Sequence, residues 1–187
     1  RSRRSDRTAR ADRTGLTRAG TAGPRGVGVG VMAEDDRFVS SFTNRLDSKG
    51  RVSIPASFRA VLARDGFEGL FVHPSLDTDA IDCGGHALLK EIDTLLETYP
   101  QYTDARDALS LALYGMSEKL KVDPEGRVQL SESCKARAGI TTEVAFVGMG
   151  HKFQIWEPGR FRAHQDEARN RARELRKYPA SGGAAGH

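Results

Sequence analysis

The sequence predicts an α+β protein built from two copies of one β-turn-β-α-β-β-α unit. Residues 47–54 and 123–130 share the pattern Asp-x-x-Gly-Arg, followed by alternating apolar and polar residues. The correspondence continues downstream, where residues 58–60 and 134–136 match as Phe-Arg-Ala and Cys-Lys-Ala. A repeat of this length is typical of a duplicated supersecondary unit, so we expect two similar units with small, interleaved hairpins.

The first unit is predicted to contain four strands and two helices. Apolar/polar alternation predicts the strands, and Pro55 should end the second because proline has no N–H to donate. The predicted strands are residues 38–42, 51–54, 70–72 and 80–82. Residues 57–64 are expected to form a short helix that closes near Gly66. A longer helix should begin after Gly84-Gly85, where leucines and an isoleucine recur at helical spacing.

The second unit is predicted to repeat this order after a connecting helix. Residues 104–114 are expected to form that helix, with Ala108, Leu111 and Ala112 on its apolar side. The strands expected after it are residues 118–122, 127–130, 143–147 and 152–156, with a short helix between the second and the third. A last, very polar helix should follow residue 159 and run to about residue 178.

These elements divide the chain into five parts. The first 31 residues are rich in Arg, Gly, Thr and Ala and cannot order themselves by burial. They are a disordered basic arm, a transit peptide that lacks the usual apolar face, or, as their composition favours, a mis-annotated extension before a true start at Met32. The predicted boundaries are 1–37 for this extension, 38–97 for a first hairpin domain with its helix, 98–115 for the connecting helix, 116–178 for a second hairpin domain with the C-terminal helix, and 179–187 for a disordered tail.

The basic character of the chain comes from one end. The whole sequence has a net charge of +4, whereas residues 1–31 alone carry eight arginines against two aspartates. The rest is therefore mildly acidic, and nucleic-acid binding has to depend on where its cations are grouped. No apolar run reaches the ~20 residues that a membrane span requires. Cys83 and Cys134 lack a metal-binding spacing, which favours a reducing compartment, with a single disulfide as the alternative.

The duplicated turn is suited to holding an arginine in a fixed position. Asp47 and Asp123 can accept hydrogen bonds from the backbone N–H groups that follow them. Gly50 and Gly126 can adopt the positive φ that such a turn requires. The next residue is an arginine that begins a strand in both copies, and the aspartate four residues earlier can orient its guanidinium through a charge-assisted bond.

The first copy has the stronger anion-binding character. Arg45, Lys49 and Arg51 lie within eight residues, beside Asn44, in an otherwise acidic part of the chain. Such a cluster can clamp phosphates or bind guanine O6 and N7 in the major groove. We therefore expect the first turn to be an anion-binding surface.

The second copy is expected to be the poorer anion site. It has Pro124-Glu125 where the first copy has Ser48-Lys49. Arg127 can contact an anion, or it can only brace the hairpin through Asp123, and its sequence favours neither role. The difference indicates that the first copy binds, while the second mainly supports the fold or bridges subunits.

Longer stretches around both turns resemble the bacterial MraZ family. Residues 44–55 read NRLDSKGRVSIP and are followed by Phe58-Arg59, and residues 118–127 read EKLKVDPEGR, with FQIW at residues 153–156. The resemblance covers about residues 38–178 and includes both Asp-x-x-x-Arg motifs. The N-terminal extension has no counterpart in that family.

The resemblance implies a transcriptional regulator with two AbrB-like swapped-hairpin modules in each chain, assembled into a homo-oligomeric ring. Members of this family bind short direct repeats in double-stranded promoter DNA, typically repress the division and cell-wall gene cluster that includes their own gene, and associate with the nucleoid in the cytoplasm. No cofactor or metal is implied. The residues expected to contact DNA are Asn44, Arg45, Lys49, Arg51 and Arg127, and those expected to brace the turns are Asp47, Gly50, Asp123 and Gly126.

Two other functional classes fit the sequence less well, and the last helix offers a second candidate contact with DNA. An enzyme is disfavoured because Cys83 and His86 lack a third partner at a motif spacing. A ring-forming scaffold without specific DNA binding is the main alternative, although it gives no reason to group cations in residues 44–51. The basic residues of the segment 169–177 could also contact DNA, or they could complement the dipole at the end of the last helix.

Overall fold

The computed structural model describes residues 36–177. The expectations about the start at Met32, the disorder of the N-terminal extension and the disordered tail concern residues outside this part. Eight strands are found in it: Ser41–Arg45 (β1), Arg51–Ser53 (β2), Leu70–Pro74 (β3), Ile81–Gly84 (β4), Glu118–Leu120 (β5), Arg127–Gln129 (β6), Glu143–Gly148 (β7) and Phe153–Trp156 (β8). The helices are Ala56–Asp65 (α1), His86–Glu97 (α2), Asp104–Ser110 (α3), Glu132–Ala138 (α4) and Pro158–Lys177 (α5), and a π-helical turn, Leu111–Gly115, follows α3.

The strands form two antiparallel sheets, which confirms an α+β architecture. Six strands are ordered β1-β7-β8-β4-β3-β5, and β2 and β6 pair separately as a short ribbon. Each outer strand of the large sheet pairs with a strand from the other half of the chain, β1 with β7 and β5 with β3. The sheet therefore depends on contacts between segments that are far apart in sequence.

Aromatic side chains from distant elements meet in the main core. Phe58 of α1, Phe146 of β7 and Phe153 of β8 are fully buried. The ring centroids of Phe58 and Phe146 lie 5.1 and 6.0 Å from that of Phe153. Burial of such large side chains stabilises the fold by roughly 1.5–3 kcal/mol each, so α1 is held firmly on the sheet. This packing places the start of α1 close to the β2–β6 ribbon.

The ribbon joins the same core through one of its two faces. Val52 of β2 and Val128 of β6 are buried and lie opposite each other in the ladder. Because successive side chains of a strand point to opposite faces, the arginines at positions 51 and 127 lie on the outer face of the ribbon.

The first strand begins later than the alternation predicts. Phe38 makes only an isolated bridge to Gly150, and Ser40 has a φ of 73° that interrupts the extended backbone. Regular pairing with β7 then runs from Ser41 to Arg45. Asn44 and Arg45 therefore belong to a strand, although the first strand was predicted to end at residue 42.

The predicted apolar side of the connecting helix is wrong. Ala108 is exposed and Leu111 is 65% exposed. Leu113 is buried, and Leu109 packs against the apolar cluster formed by Leu113 and the buried side chains of α2. Leucines at 109, 111 and 113 fit two different helical faces, and a π-helical turn shifts the side chains that follow it. The periodicity selected the wrong face for this reason.

The two cysteines are free thiols, and both are buried. Burial raises the pKa of the Cys83 thiol well above its ordinary value, and that of Cys134 is raised for the same main reason. Within residues 36–177, no three His, Cys, Asp or Glu side chains are grouped closely enough to hold a metal ion. None of the helices in that range is long and apolar enough to cross a membrane.

Candidate nucleic-acid interface

The first turn is closed by a network of hydrogen bonds centred on Asp47. Its Oδ1 accepts from the backbone N–H groups of Lys49 and Arg51, each at 2.9 Å. Its Oδ2 accepts from the guanidinium of Arg51, at 2.8 Å from Nε and 2.7 Å from Nη2. Gly50 has a φ of 74° and donates its N–H to the Asp47 carbonyl at 2.9 Å. Arg51 is therefore held by its own turn, as the spacing predicts.

The second turn has the same frame, but its arginine is bonded to a second carboxylate. Asp123 accepts from the backbone N–H and from the Nε of Arg127, both at 2.8 Å. Gly126 has a φ of 77° and donates to the Asp123 carbonyl at 2.9 Å. Here the Nη2 of Arg127 also donates to Glu125 at 3.1 Å. The acidic residue that distinguishes this copy thus occupies part of the guanidinium.

The two turns meet on the outer face of the ribbon and form a cluster of four charges. Pairing of β2 with β6 brings Nη1 of Arg51 to 3.9 Å from Oδ2 of Asp123. The four side chains of this cluster are about 26–33% exposed. Their formal charges cancel, so the cluster alone gives no net attraction for an anion. That attraction has to come from the cations around it.

The carboxylates of the cluster are held in their charged form. The pKa of Asp47 is lowered to about 2, mainly by the hydrogen bond from the backbone N–H of Arg51 and next by its guanidinium. The pKa of Asp123 is also lowered, first by the backbone N–H of Arg127. Asp123 in turn raises the pKa of the Arg127 guanidinium. Both carboxylates are therefore ionised at neutral pH.

The other predicted contact residues surround this cluster and differ in whether their side chains are already bonded within the protein. Asn44 donates its Nδ2 to the Ser53 carbonyl at 2.7 Å, which ties β1 to β2. The Arg45 side chain is 84% exposed and its Nε lies 3.1 Å from Glu143. Lys49 is exposed at the tip of the first turn. Arg45 and Lys49 are thus at the surface, while Asn44 acts within the fold.

Two cations that the sequence argument did not select lie against the turns. A Cβ at Gly126 would collide with the Arg59 side chain, and it would lie 2.8 Å from Arg59 Nε. A Cβ at Gly50 would lie 3.5 Å from Lys135 Nζ. Arg59 is on α1 and Lys135 on α4, so each turn is covered by a cation from the opposite half of the chain. Alignment of Arg59 with Lys135 in the repeat was the signal that could have identified them.

These two cations differ in availability. Arg59 is exposed, and no ion pair joins it to any residue between 36 and 177. Lys135 is half-buried, and its Nζ lies 2.5 Å from a carboxylate oxygen of Glu132. The second turn, whose own arginine is occupied, therefore has an exposed guanidinium from the first half of the chain beside it.

Comparisons with known proteins agree with the resemblance seen in the sequence. Residues 113–177 match the family described as "MraZ protein, putative antitoxin-like". A protein of Beijerinckia indica subsp. indica named "Transcriptional regulator MraZ" is 70% identical over 146 residues, which cover 78% of this chain and 89% of that protein. Proteins with the same name from Methylocella silvestris and Rickettsia felis are 65% identical over 150 residues and 37% identical over 139 residues, covering 80% and 74% of this chain and 92% and 93% of those proteins.

Their shared name places these relatives among transcriptional regulators. Their identity to this chain extends over nearly their whole length, well beyond the two turns. The chain belongs to the MraZ family, which confirms the resemblance.

Proposed function

We propose that this protein is a sequence-specific DNA-binding transcriptional regulator that reads promoter DNA with its β2–β6 ribbon. The observation that carries the proposal is the meeting of both Asp–Arg turns on one exposed face, with cations from both halves of the chain around them. A two-stranded ribbon is narrow enough to enter the major groove. The name of the relatives supports a regulatory role.

In this proposal the charge cluster positions the arginines, and the cations around it contact the DNA backbone. Asp47 and Asp123 fix the arginines, and the Nη1 of Arg51, beyond hydrogen-bond distance of Asp123 at 3.9 Å, is available to a base acceptor or a phosphate. Exposed Lys49 and Arg45 supply phosphate contacts that position the ribbon. Asn44 contributes mainly by holding β1 against β2.

The second turn contributes less by itself and is supplemented from outside. Arg127 is bonded to two carboxylates, Asp123 and Glu125, whereas Arg51 is bonded to Asp47 alone, so the additional negative charge makes the second turn less attractive to an anion. The exposed guanidinium of Arg59 lies against Gly126 and takes over part of the phosphate contact there. In this proposal the two turns make one composite surface and are not two independent sites.

Strand exchange supports two AbrB-like swapped-hairpin modules in each chain. Under the repeat, β1 corresponds to β5 and β3 to β7, and each first strand pairs with the third strand of the other unit. We propose that such chains assemble into a ring. Several ribbons on one ring would raise the avidity for DNA that carries repeated boxes, because the second contact becomes intramolecular.

The proposed target is the promoter of the division and cell-wall gene cluster that includes the protein's own gene. The proposed effect is repression, and the proposed location is the nucleoid in the cytoplasm. These points rest on membership of the MraZ family and on the resemblance that the two motifs carry.

A ring-forming scaffold is the second candidate function. It is favoured by the neutral cluster of Asp47, Arg51, Asp123 and Arg127, since a purely structural brace would also be neutral. It does not account for Lys49 and Arg59, which are exposed beside the cluster.

The test is a titration of the full chain against DNA from upstream of its own gene and against a shuffled duplex of the same composition, at two salt concentrations. The variants are Lys49→Ala and, as a matched control on α2 outside the ribbon, exposed Lys90→Ala. We expect tighter, salt-dependent binding of the natural duplex, and of the two variants only Lys49→Ala should weaken binding, to both duplexes alike, because it removes a phosphate contact. Absence of any preference by a correctly assembled wild-type protein would favour the scaffold.

A further inference from the structure

A cavity of 420 Å³ lies between α2, β8 and the loop that joins β3 to β4. His73, Asp82 and Gln154, which are 3%, 4% and 7% exposed, are the buried polar side chains of the described part of the chain, and all three line this cavity. They lie side by side on adjacent strands, since His73 is opposite Asp82 and Asp82 is opposite Gln154 in the ladders. Burial of three polar groups in one row is costly unless each is bonded.

Two of these three groups are well satisfied. Gln154 donates its Nε2 to Oδ1 of Asp82 at 2.7 Å and accepts from Nε1 of Trp156 at 3.0 Å. The second oxygen of Asp82 accepts from Nζ of Lys152 at 3.1 Å. The row is therefore a built structure with its amide oriented and its carboxylate paired.

The third group, His73, has an unused nitrogen. Its Nδ1 lies 2.9 Å from the Pro74 carbonyl, which can only accept, so Nδ1 carries the proton. In the neutral ring Nε2 is then an acceptor. It makes no hydrogen bond to any residue in the range 36–177, and the nearest carboxylate oxygen, Oδ2 of Asp82, is 3.9 Å away. Because the His73 side chain lines the cavity and Nε2 has no protein donor within that range, this nitrogen can accept a hydrogen bond from a donor in the cavity.

The rest of the cavity complements a ligand with an apolar body. Leu88 and Ile92 of α2 and Leu113 form a buried apolar wall, and Leu95 lies at the exposed mouth. The charged lining is mostly acidic. It consists of Asp77, Asp82 and Glu91 against Lys152, with the imidazoles His73 and His164.

We propose that this cavity binds a small organic amine. The ammonium donates to Nε2 of His73 and to Oδ2 of Asp82, and the carbon chain lies along the apolar wall of α2. An ammonium fits because the unused atom is an acceptor and the lining has more acidic than basic groups. Oδ2 of Asp82 already accepts from Lys152, and a carboxylate oxygen can accept from a second donor. The inference does not depend on the proposed DNA binding.

The test is isothermal titration calorimetry of the full chain with n-hexylamine, hexan-1-ol and hexanoate. These probes share a carbon chain and differ in the head group. We expect saturable binding of the amine, with the alcohol at least about tenfold weaker and hexanoate weaker still, because a charged donor is worth more than a neutral one. Equal binding of the alcohol or the acid, or no saturable binding of the amine, would overturn the proposal.

A variant at the mouth locates the binding. Leu95→Trp should fill the cavity while leaving the buried row unchanged, since Leu95 is partly exposed. The matched control is Leu111→Trp, at an exposed leucine outside the cavity lining. Circular dichroism establishes that both variants are folded. Loss of amine binding in Leu95→Trp alone supports the site, and equal binding in both variants refutes it. Asp82→Asn tests the carboxylate directly, but the conclusion rests on the tryptophan pair because Asp82 is also a structural partner.

Discussion

The two turns of this protein have one backbone frame and opposite charge at the tip. In both, an aspartate accepts from the backbone and side chain of the arginine four residues later, and a glycine takes a positive φ. The difference lies in the two residues between, Ser48-Lys49 in the first copy and Pro124-Glu125 in the second. The comparison teaches that Asp, Gly and Arg determine the shape, whereas the intervening pair determines whether a cation or a second carboxylate lies beside the arginine.

The largest expected effect separates the two arginines. Arg51→Ala should weaken binding to the promoter duplex by about a hundredfold, because a well-placed arginine on a base is worth roughly 1–3 kcal/mol. Arg127→Ala should cost about tenfold, since Glu125 already shares its guanidinium. Fluorescence anisotropy measures both affinities. Light scattering should show unchanged assemblies. Equal losses would remove the asymmetry, and dissociation of the Arg51→Ala assembly would make Arg51 a structural brace.

Exchanging the tip charges should move the two copies toward each other. Lys49→Glu should weaken DNA binding by about tenfold and lower the salt dependence by about one phosphate contact. Glu125→Lys should strengthen binding several-fold because it adds a cation and releases Nη2 of Arg127. The salt slopes of log affinity are the measurement. Weaker binding in Glu125→Lys would mean that the second turn does not approach DNA.

The glycines distinguish backbone strain from a side-chain collision. Alanine at either position is strained at φ near 75° by about 1 kcal/mol. Gly126→Ala should lose more stability than Gly50→Ala in urea unfolding, because its Cβ also meets Arg59, whereas Lys135 lies 3.5 Å from a Cβ at Gly50. The excess should disappear in an Arg59→Ala background. An excess that persists there would show that Arg59 does not lie on the turn in solution.

The smallest effect concerns the two carboxylates. The folded pKa of Asp47 is about 2, below its ordinary value of 3.8, so its contribution to stability is present above pH 3.8 and is lost as the pH falls toward 2. Arg51→Ala should return this pKa only part of the way, because the backbone N–H of residue 51 remains the first cause. NMR titration of the Asp47 carboxyl measures it. Asp123 should likewise titrate below its ordinary value, and a full return of Asp47 to 3.8 would contradict the backbone contribution.

Local sequence patterns predicted the turns of the candidate site, whereas long-range contacts determine which other residues lie beside those turns. Asp47, Gly50 and Arg51 interact within five residues, so their spacing alone indicates the turn. The approach of Arg59 to Gly126 requires α1 to pack beside the opposite turn, and no short pattern states which elements will be neighbours. Asn44 was selected as a contact because it is close in sequence to the cations, and that proximity gives no sign of the bond from its amide to the Ser53 carbonyl.

The same reasoning explains which parts of the fold were predicted. Apolar/polar alternation located all eight strands approximately, because it depends on neighbours along the chain. The register between strands does not depend on such neighbours, so the alternation does not reveal it. His73, Asp82 and Gln154 are scattered in the sequence and become one row only through the pairing of β3, β4 and β8. The apolar side of the connecting helix was predicted wrongly because the leucines at 109, 111 and 113 fit two different helical faces, and their spacing does not show which face is buried.

The exchange of outer strands has a consequence for synthesis of the chain. Arg45 of β1 pairs with Glu143 of β7, 98 residues later, so a growing polypeptide carries β1 without its partner until most of the described part has left the ribosome. Such non-local pairing slows folding, and an unpaired strand edge invites association with other chains. A product truncated before β7 would keep this edge open. The sheet can therefore close only after β7 has been synthesised. Prematurely terminated chains should be prone to proteolysis or aggregation, because their first strand stays unpaired.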